Sequence, residues 1–482
     1  MTRNLVAAAA AVLLAACTQS PEPAAGKSAT AHATPKADCG PGSRPETGIQ
    51  GRVPQSDHDS GRAALGYTCN TELVGSYTVP TPKGTVAGFK VLRYVDATGH
   101  ECAYYDTTLI YPSNAFDMES GVNVLDMADP SKPLLTTNLQ TPAMLTPHES
   151  LVLSERRGLL VAVGGYVTFN AGIVDVYDIS ADCRQPVLKA TLPVAVAGHE
   201  SGLSPDGMTF YAASPGTPTV TAIDLTDPST PTPLAVLPYY SHGMSISADG
   251  NRAYMACIGL SGSARAFSNG QVTQVPDPSQ DRALVVVDVS EIQARKLNPQ
   301  WKEVSRLTWS PMSIPQNAIP FTSKGHPYLL EVDEYGQLTE VGAARIIDIK
   351  DETHPKVISN LRLEVHNPEN FADEANDPGA SFAGQGYAGH YCNVSAQADP
   401  AIAACSMILS GLRVFDIRDV HHPREVAYFN APIPPRVAPV PTAASNYAMS
   451  YPSFVPARKE IWYSDVYSGF YVVRLTNDAW PD

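Results

Sequence analysis

The chain has 482 residues, with 33 Lys and Arg against 48 Asp and Glu, a formal charge of −15; 44% of residues are apolar and 17% charged. That is the composition of a folded chain with a lightly charged surface, not of a disordered one. The acidic balance, without any basic run, argues against nucleic acid and against an anionic membrane surface as electrostatic partners, since both are held by Lys and Arg.

The first segment carries an address. Arg3 gives a short positive start, and Leu5 to Ala16 is an apolar run of 12 residues. That is the length of a signal-peptide core and too short to span a bilayer. The run closes on Leu14-Ala15-Ala16-Cys17, which resembles the bacterial lipobox, whose Cys is acylated and becomes the first mature residue. The resemblance implies a signal peptide over 1–16, lipidation (palmitate) at Cys17 and a cell-envelope lipoprotein facing the extracytoplasmic side. No other segment reaches 18 uninterrupted apolar residues, so the lipid is expected to be the only membrane anchor. Residues 17–38, rich in Ala, Pro, Ser and Thr, read as a flexible tether. Residues 39–74 read as an N-terminal arm packed on the folded body.

Seven cysteines remain after Cys17, and export allows them to pair. Cys392 and Cys405, 13 residues apart, fall on neighbouring strands of one repeat. Cys69 and Cys102 bracket the start of the folded region, where a bridge would pin the arm. Cys257 lies in a strongly apolar strand and is expected to be buried. The pairing of Cys39, Cys183 and Cys257 stays open. No pair has C-x-x-C spacing.

Over residues 75–482 one phrase recurs: GVNVLDMADPSKP from Gly121, GIVDVYDIS from Gly172, TVTAIDLTDPSTP from Thr219, ALVVVDVSEI from Ala283, ARIIDIKDETHP from Ala344 and GLRVFDIRDVHHP from Gly411. A degenerate copy, GFYVVRLTND, starts at Gly469. The shared Asp falls at Asp126, Asp178, Asp224, Asp288, Asp348 and Asp416, with Arg474 in the seventh slot. Each of the first six copies is an apolar strand closed by an Asp, expected to accept turn N–H groups. Upstream of most copies stands a strand–turn–strand unit, as in HESGLSPDGMTFYAAS from His199, with its Asp206-Gly207 turn, and HGMSISADGNRAYMAC from His242, with Asp249-Gly250. Four antiparallel strands per repeat, at spacings of 46 to 68 residues, predict an all-β, seven-bladed β-propeller whose chain ends meet. The V-x-D-hydrophobic-x-D-P form of the phrase strand resembles the LVIVD repeat of bacterial surface proteins. The resemblance covers nearly all of the chain after the tether and implies fold rather than activity.

Aligning the repeats places His148, His199, His242 and His390 at one point, the start of the first strand. In a propeller that strand is innermost, so the four imidazoles converge on the axis. Such a ring suits iron, copper or zinc. His366, in EVHNPEN, is a candidate fifth ligand. Glu149 and Glu200 follow two of the histidines and could orient rings or act as general bases. Two other readings stay open: a repeated structural His bonded within its own blade, and a polar channel without metal. In architecture and residue type alone, the arrangement resembles carotenoid-cleaving oxygenases, which hold iron with four histidines on a seven-bladed propeller axis, and the selenium-binding family.

His326 is followed by Glu331, Asp333 and Glu334, which read as surface strand and turn positions. His354, His421 and His422 read as turn residues. Ser201 lacks the G-x-S-x-G elbow of hydrolases, and with neither a P-loop nor a G-x-G-x-x-G after a strand no nucleotide cofactor is expected. Insertions at 258–280 and 371–386 lengthen two blades with loop residues. The expected function is a binding module for an unknown small molecule or envelope protein; the other expectation is a His-coordinated metal-dependent oxidoreductase outside the cytoplasm.

Overall fold

The computed structural model describes residues 24–25, 32–78, 88–107, 121–165, 172–260, 281–334, 336–337, 340–374, 377, 386–433, 446–466 and 468–481. The signal segment 1–16, Cys17, most of the tether, and the bulk of both insertions lie outside the described residues.

Seven four-stranded antiparallel blades stand in a ring. Blade 1 runs in chain order through Val91–Val95, Glu101–Asp106, Val122–Asp126 and Leu134–Leu139. The inner strands of blades 2 to 7 are Val152–Ser154, Glu200–Leu203, Ser241–Ile246, Ile314–Ser323, Tyr391–Val394 and Ser453–Val455. The repeated phrase is the third strand of every blade. It reads as a continuous apolar run because it is covered on both faces, by the blade before and the blade after: Val122, Val124 and Leu125 are fully buried, as are Val285, Val286 and Val287.

Each of the six phrase Asp residues accepts the backbone N–H two residues on, at 2.8–3.1 Å. This Asx turn stops the strand and starts the crossing to the outer strand. In blades 1 to 6 the third and fourth strands slip register between the first and second residues before that Asp. Such a bulge sharpens the local twist and bends the outer strand. Asp206 and Asp249 sit in their expected turns, with Gly207 at φ 71° and Gly250 at φ 80°, the left-handed region that favours glycine.

The ring is closed by the N-terminal side of the chain. Thr71–Tyr77 is the outer strand of blade 7 and pairs with Gly469–Leu475, so the propeller starts at Thr71 and blade 7 joins both ends of the fold. Upstream, Tyr67–Cys69 runs along the outer strand of blade 6, Arg424–Asn430. The arm is fixed there by a buried ion pair of Glu46 with Arg413, which also holds Glu425 at 3.0 Å. Tyr67 donates to Asp57 at 2.7 Å.

Among the described residues three disulfides form: Cys39–Cys69, Cys102–Cys183 and Cys392–Cys405. The last joins directly opposed residues on the first two strands of blade 6. The bridge expected between Cys69 and Cys102 does not form. Cys69 lies along blade 6, whereas Cys102 faces the seam between blades 1 and 2, where Cys183 lies; Tyr104 donates to the Cys183 carbonyl at 2.7 Å. Cys257 is a buried thiol. The disulfides mark an oxidising, extracytoplasmic environment. Among the described residues no helix is long and apolar enough to cross a membrane.

Candidate metal centre

The inner strands begin close to the axis, and blades 2 and 3 touch there through a parallel backbone bridge between Glu149 and Glu200. This contact gathers the four repeat histidines. The rings of His148 and His199 have centroids 4.3 Å apart, and those of His199 and His242 are 4.7 Å apart. His199 Nε2 and His242 Nε2 approach to 3.2 Å. Phe89 packs against His148 at 4.6 Å and His390 at 5.9 Å, forming an apolar side to the cluster. All four histidines are buried.

Glu149 is the hub. Its carboxylate lies 3.5 Å from His148 Nε2, 3.8 Å from His199 Nε2, 3.5 Å from His242 Nδ1 and 3.3 Å from His390 Nε2. The same group accepts from Gln316 Nε2 at 3.0 Å and from the Tyr391 hydroxyl at 2.9 Å. Glu334 reaches the cluster from blade 5, 3.2 Å from His242 Nε2 and 3.5 Å from His390 Nε2. His148, Glu149 and His199 offer ligand atoms that all lie within 4.8 Å of one another, as do Glu149, Glu200 and His242.

Glu200 links this cluster to what lies beneath it. Its Oε1 accepts from Lys90 Nζ at 2.9 Å and from Asn317 Nδ2. Its Oε2 lies 3.5 Å from His242 Nδ1. Gly243 makes room for it: a Cβ there would meet Glu200 Oε2 at 1.5 Å and the Gln316 carbonyl oxygen at 2.5 Å. Lys90 is held in turn over the Tyr391 ring at 4.0 Å and the Tyr451 ring at 5.3 Å, both within cation–π range.

Burial drives the histidines apart in protonation. Desolvation pushes His148 down to about 4. It pushes His199 well below the ordinary range, and the neighbouring rings of His148 and His242 further disfavour a charge there. Burial also opposes charge on His242, but the carboxylates of Glu149, Glu334 and Glu200 outweigh it and hold that ring well above the ordinary imidazole range. For Glu149, burial favours the neutral acid, yet His242, His148 and His390 keep it well below the carboxylate range. Glu149, Glu200 and Glu334 thus share the pocket with Lys90 and the His242 ring. Two polar atoms facing each other, Glu200 Oε2 and His242 Nδ1, are buried without hydrogen-bond partners. A buried polar atom left unpaired is costly. A metal ion bound at this point would replace the His242 ring proton and satisfy both atoms. The nitrogen and oxygen donors fit a first-row transition metal.

The rings of His199 and His390 are bonded across blades, not to turns of their own. His199 Nδ1 lies 3.2 Å from the Gly165 carbonyl of blade 2, and His390 Nδ1 meets the Met449 carbonyl, on the approach to blade 7, at 2.5 Å. His366 is not part of the cluster. It ends the 3-10 turn Glu364–His366, where its Nδ1 accepts from Leu363 N–H at 3.2 Å and its carbonyl accepts from Arg362 at 2.5 Å. That turn folds the ring back against Arg362, so the sequence neighbourhood of His390 does not bring His366 to the axis.

Glu331, Asp333 and Glu334, expected at the surface, are all buried. Asp333 pairs with Arg345 at 3.0 Å and accepts from Trp309 Nε1 at 3.0 Å, and Glu331 also pairs with Arg345. Glu334 and Lys90 are cluster residues that the repeat alignment misses, whereas it sets the polar pair Gln316-Asn317 in the His slot of blade 5. His354 and His422 do serve their turns, 3.0 Å from Asp351 and Asp419.

No family model matches the chain, and no curated protein is similar to it in sequence. Among solved structures, the chain is similar to the β-propeller domain of Cps50 (Swd1) from Myceliophteria thermophila. The identity is 11%, the match covers 84% of this chain and 100% of that one, and the TM-score is 0.50. A candidate 6-phosphogluconolactonase from Bacteroides fragilis matches at 13% identity over 83% of this chain and 92% of that one, with a TM-score of 0.44. At these identities the likeness shows the propeller fold alone.

Proposed function

We propose that this chain is an exported binding propeller of the LVIVD-repeat kind that holds one first-row transition metal ion on its axis. The proposed ligands are drawn from His148, His199, His242, His390 and Glu149, with Glu200 and Glu334 adjusting ring orientation and charge. The observation that carries the reading is the convergence of four histidines from separate inner strands onto one buried carboxylate, at 3.3–3.8 Å. Zinc, iron and copper all accept such a donor set. The element bound separates a binding module from an oxidoreductase, because iron and copper supply redox chemistry and zinc does not. Acylation of Cys17 would hold the propeller at the membrane on the extracytoplasmic side.

The test is elemental analysis of protein purified from the cell envelope without added metal. About one equivalent of a single transition metal is expected, lost in His199→Ala and His242→Ala proteins that keep their β-sheet circular dichroism. A folded wild-type protein that neither carries nor takes up any such metal would overturn the reading. Intact-mass analysis of the same sample reads the lipid at Cys17.

A further inference from the structure

Beneath the histidine cluster, toward the ends of the inner strands, the axis opens into a funnel of about 410 Å³. Its walls are apolar: Leu151, Leu203, Met244, Ile246 and Ile319 come from four blades. Its floor is polar and consists of Lys90, Ser201, Asn317 and Tyr451. Ser201 is only 3% exposed, and its Oγ has no hydrogen-bond partner. A volume in this range, apolar walls and a few convergent polar groups are the features of a small-molecule site.

We propose that the funnel binds a neutral, largely apolar molecule through a single carbonyl oxygen seated on the floor. The head group follows from the donors. Lys90 Nζ carries three N–H bonds and gives one to Glu200, and Ser201 Oγ–H has no acceptor. Both therefore call for an acceptor on the ligand. The charge follows from the neighbours. Lys90 is already neutralised by Glu200 at 2.9 Å, and Glu149 and Glu334 lie behind that carboxylate in the cluster. A carboxylate head would meet these buried negative charges without a free cation to offset them, whereas a ketone, ester or amide oxygen meets only donors. The body follows from the walls, whose burial against an apolar ligand contributes about 25 cal/mol per Å². This site lies outside the proposed metal ligands; a metal bound above it would offset Glu149 and Glu334, so the titration is run in chelator.

The test uses 6-propionyl-2-(dimethylamino)naphthalene, a neutral naphthyl ketone whose emission shifts to the blue when it leaves water, titrated into the full propeller. Its anionic relative 6-(dimethylamino)-2-naphthoate serves as the comparison. Saturable one-to-one binding of the ketone is expected, at least tenfold tighter than that of the naphthoate. Ser201→Ala should weaken ketone binding about three- to tenfold, the value of one hydrogen bond. Met244→Trp, which fills the funnel, should abolish binding while near-ultraviolet circular dichroism stays native. If Met244→Trp fails to fold, the Ser201→Ala ratio decides alone. Absence of saturable ketone binding, naphthoate binding as tight as the ketone, or an unchanged affinity in Ser201→Ala would each overturn the proposal.

Discussion

Glu149 lies within 3.8 Å of ring nitrogens from four histidines; with Glu334 and Glu200 it raises His242, while burial keeps His148 and His199 low. Glu149→Gln preserves its shape and removes its charge. Metal affinity should fall at least tenfold in an isothermal titration, with the thermal unfolding of the metal-free protein still cooperative. Unchanged affinity would remove Glu149 from the ligand set. The protonation pattern also predicts a pH profile for the metal-free protein. His148, pushed to about 4, is neutral in the folded chain but protonated in the unfolded chain below about 6.5. The unfolded state then binds more protons, so stability falls as pH drops from about 6.5 to 4, by about 3 kcal/mol from His148 alone. His199 acts in the same direction. His242 acts in the opposite one: its raised folded value gives stability below about 6.5 that is lost as pH rises through that value. Urea midpoints measured across this range in chelator should show the acid loss, and His148→Asn should flatten it. An acid limb identical in His148→Asn would refute the assignment. The histidines were legible because they repeat in register. Glu334 was not, because it closes the second strand of a blade whose inner strand carries Gln316 in place of the repeat His. Lys90 was not, because it precedes the inner strand of a blade with no upstream unit to align.

At the scale of the strand, the phrase motif was legible because its Asp has one local job, the turn two residues on, and a local job leaves a local pattern. The bulge beside it was not legible, since it concerns the partner strand. Nor was the start of the ring at Thr71: the closing strand TELVGSY carries no phrase and finds its place only by pairing with the far end of the chain. The Cys102–Cys183 bridge is non-local in the same way, with 81 residues between its ends. It ties blade 1 to blade 2. Replacing both cysteines by Ser should lower unfolding free energy by about 2–4 kcal/mol, read from chemical denaturation. A change below about 0.5 kcal/mol would show that the seam holds without it. Cys257 should behave oppositely to a surface thiol. Burial pushes it up to about 12, so a thiol reagent at neutral pH should find it only after unfolding.

For the whole molecule, the fold follows from repetition. Seven copies of a strand that needs cover on both faces bury one another when set in a ring, and the ring leaves an axis. What occupies the axis is repeated only in part. His148, His199, His242 and His390 stand in register on four blades, Gln316 and Glu334 come from blade 5 and Lys90 from blade 1, and only their convergence makes a site. The central claim is that this convergence holds a metal ion. Anomalous X-ray diffraction from crystals of the envelope-purified protein, collected above and below the absorption edge of the element found by analysis, tests it most directly. The account predicts a single strong peak among the ring nitrogens of His148, His199, His242 and His390 and the carboxylate of Glu149, at metal–nitrogen distances of about 2.0–2.2 Å. A peak elsewhere on the protein, or none among these residues in crystals grown with the metal present, would contradict it.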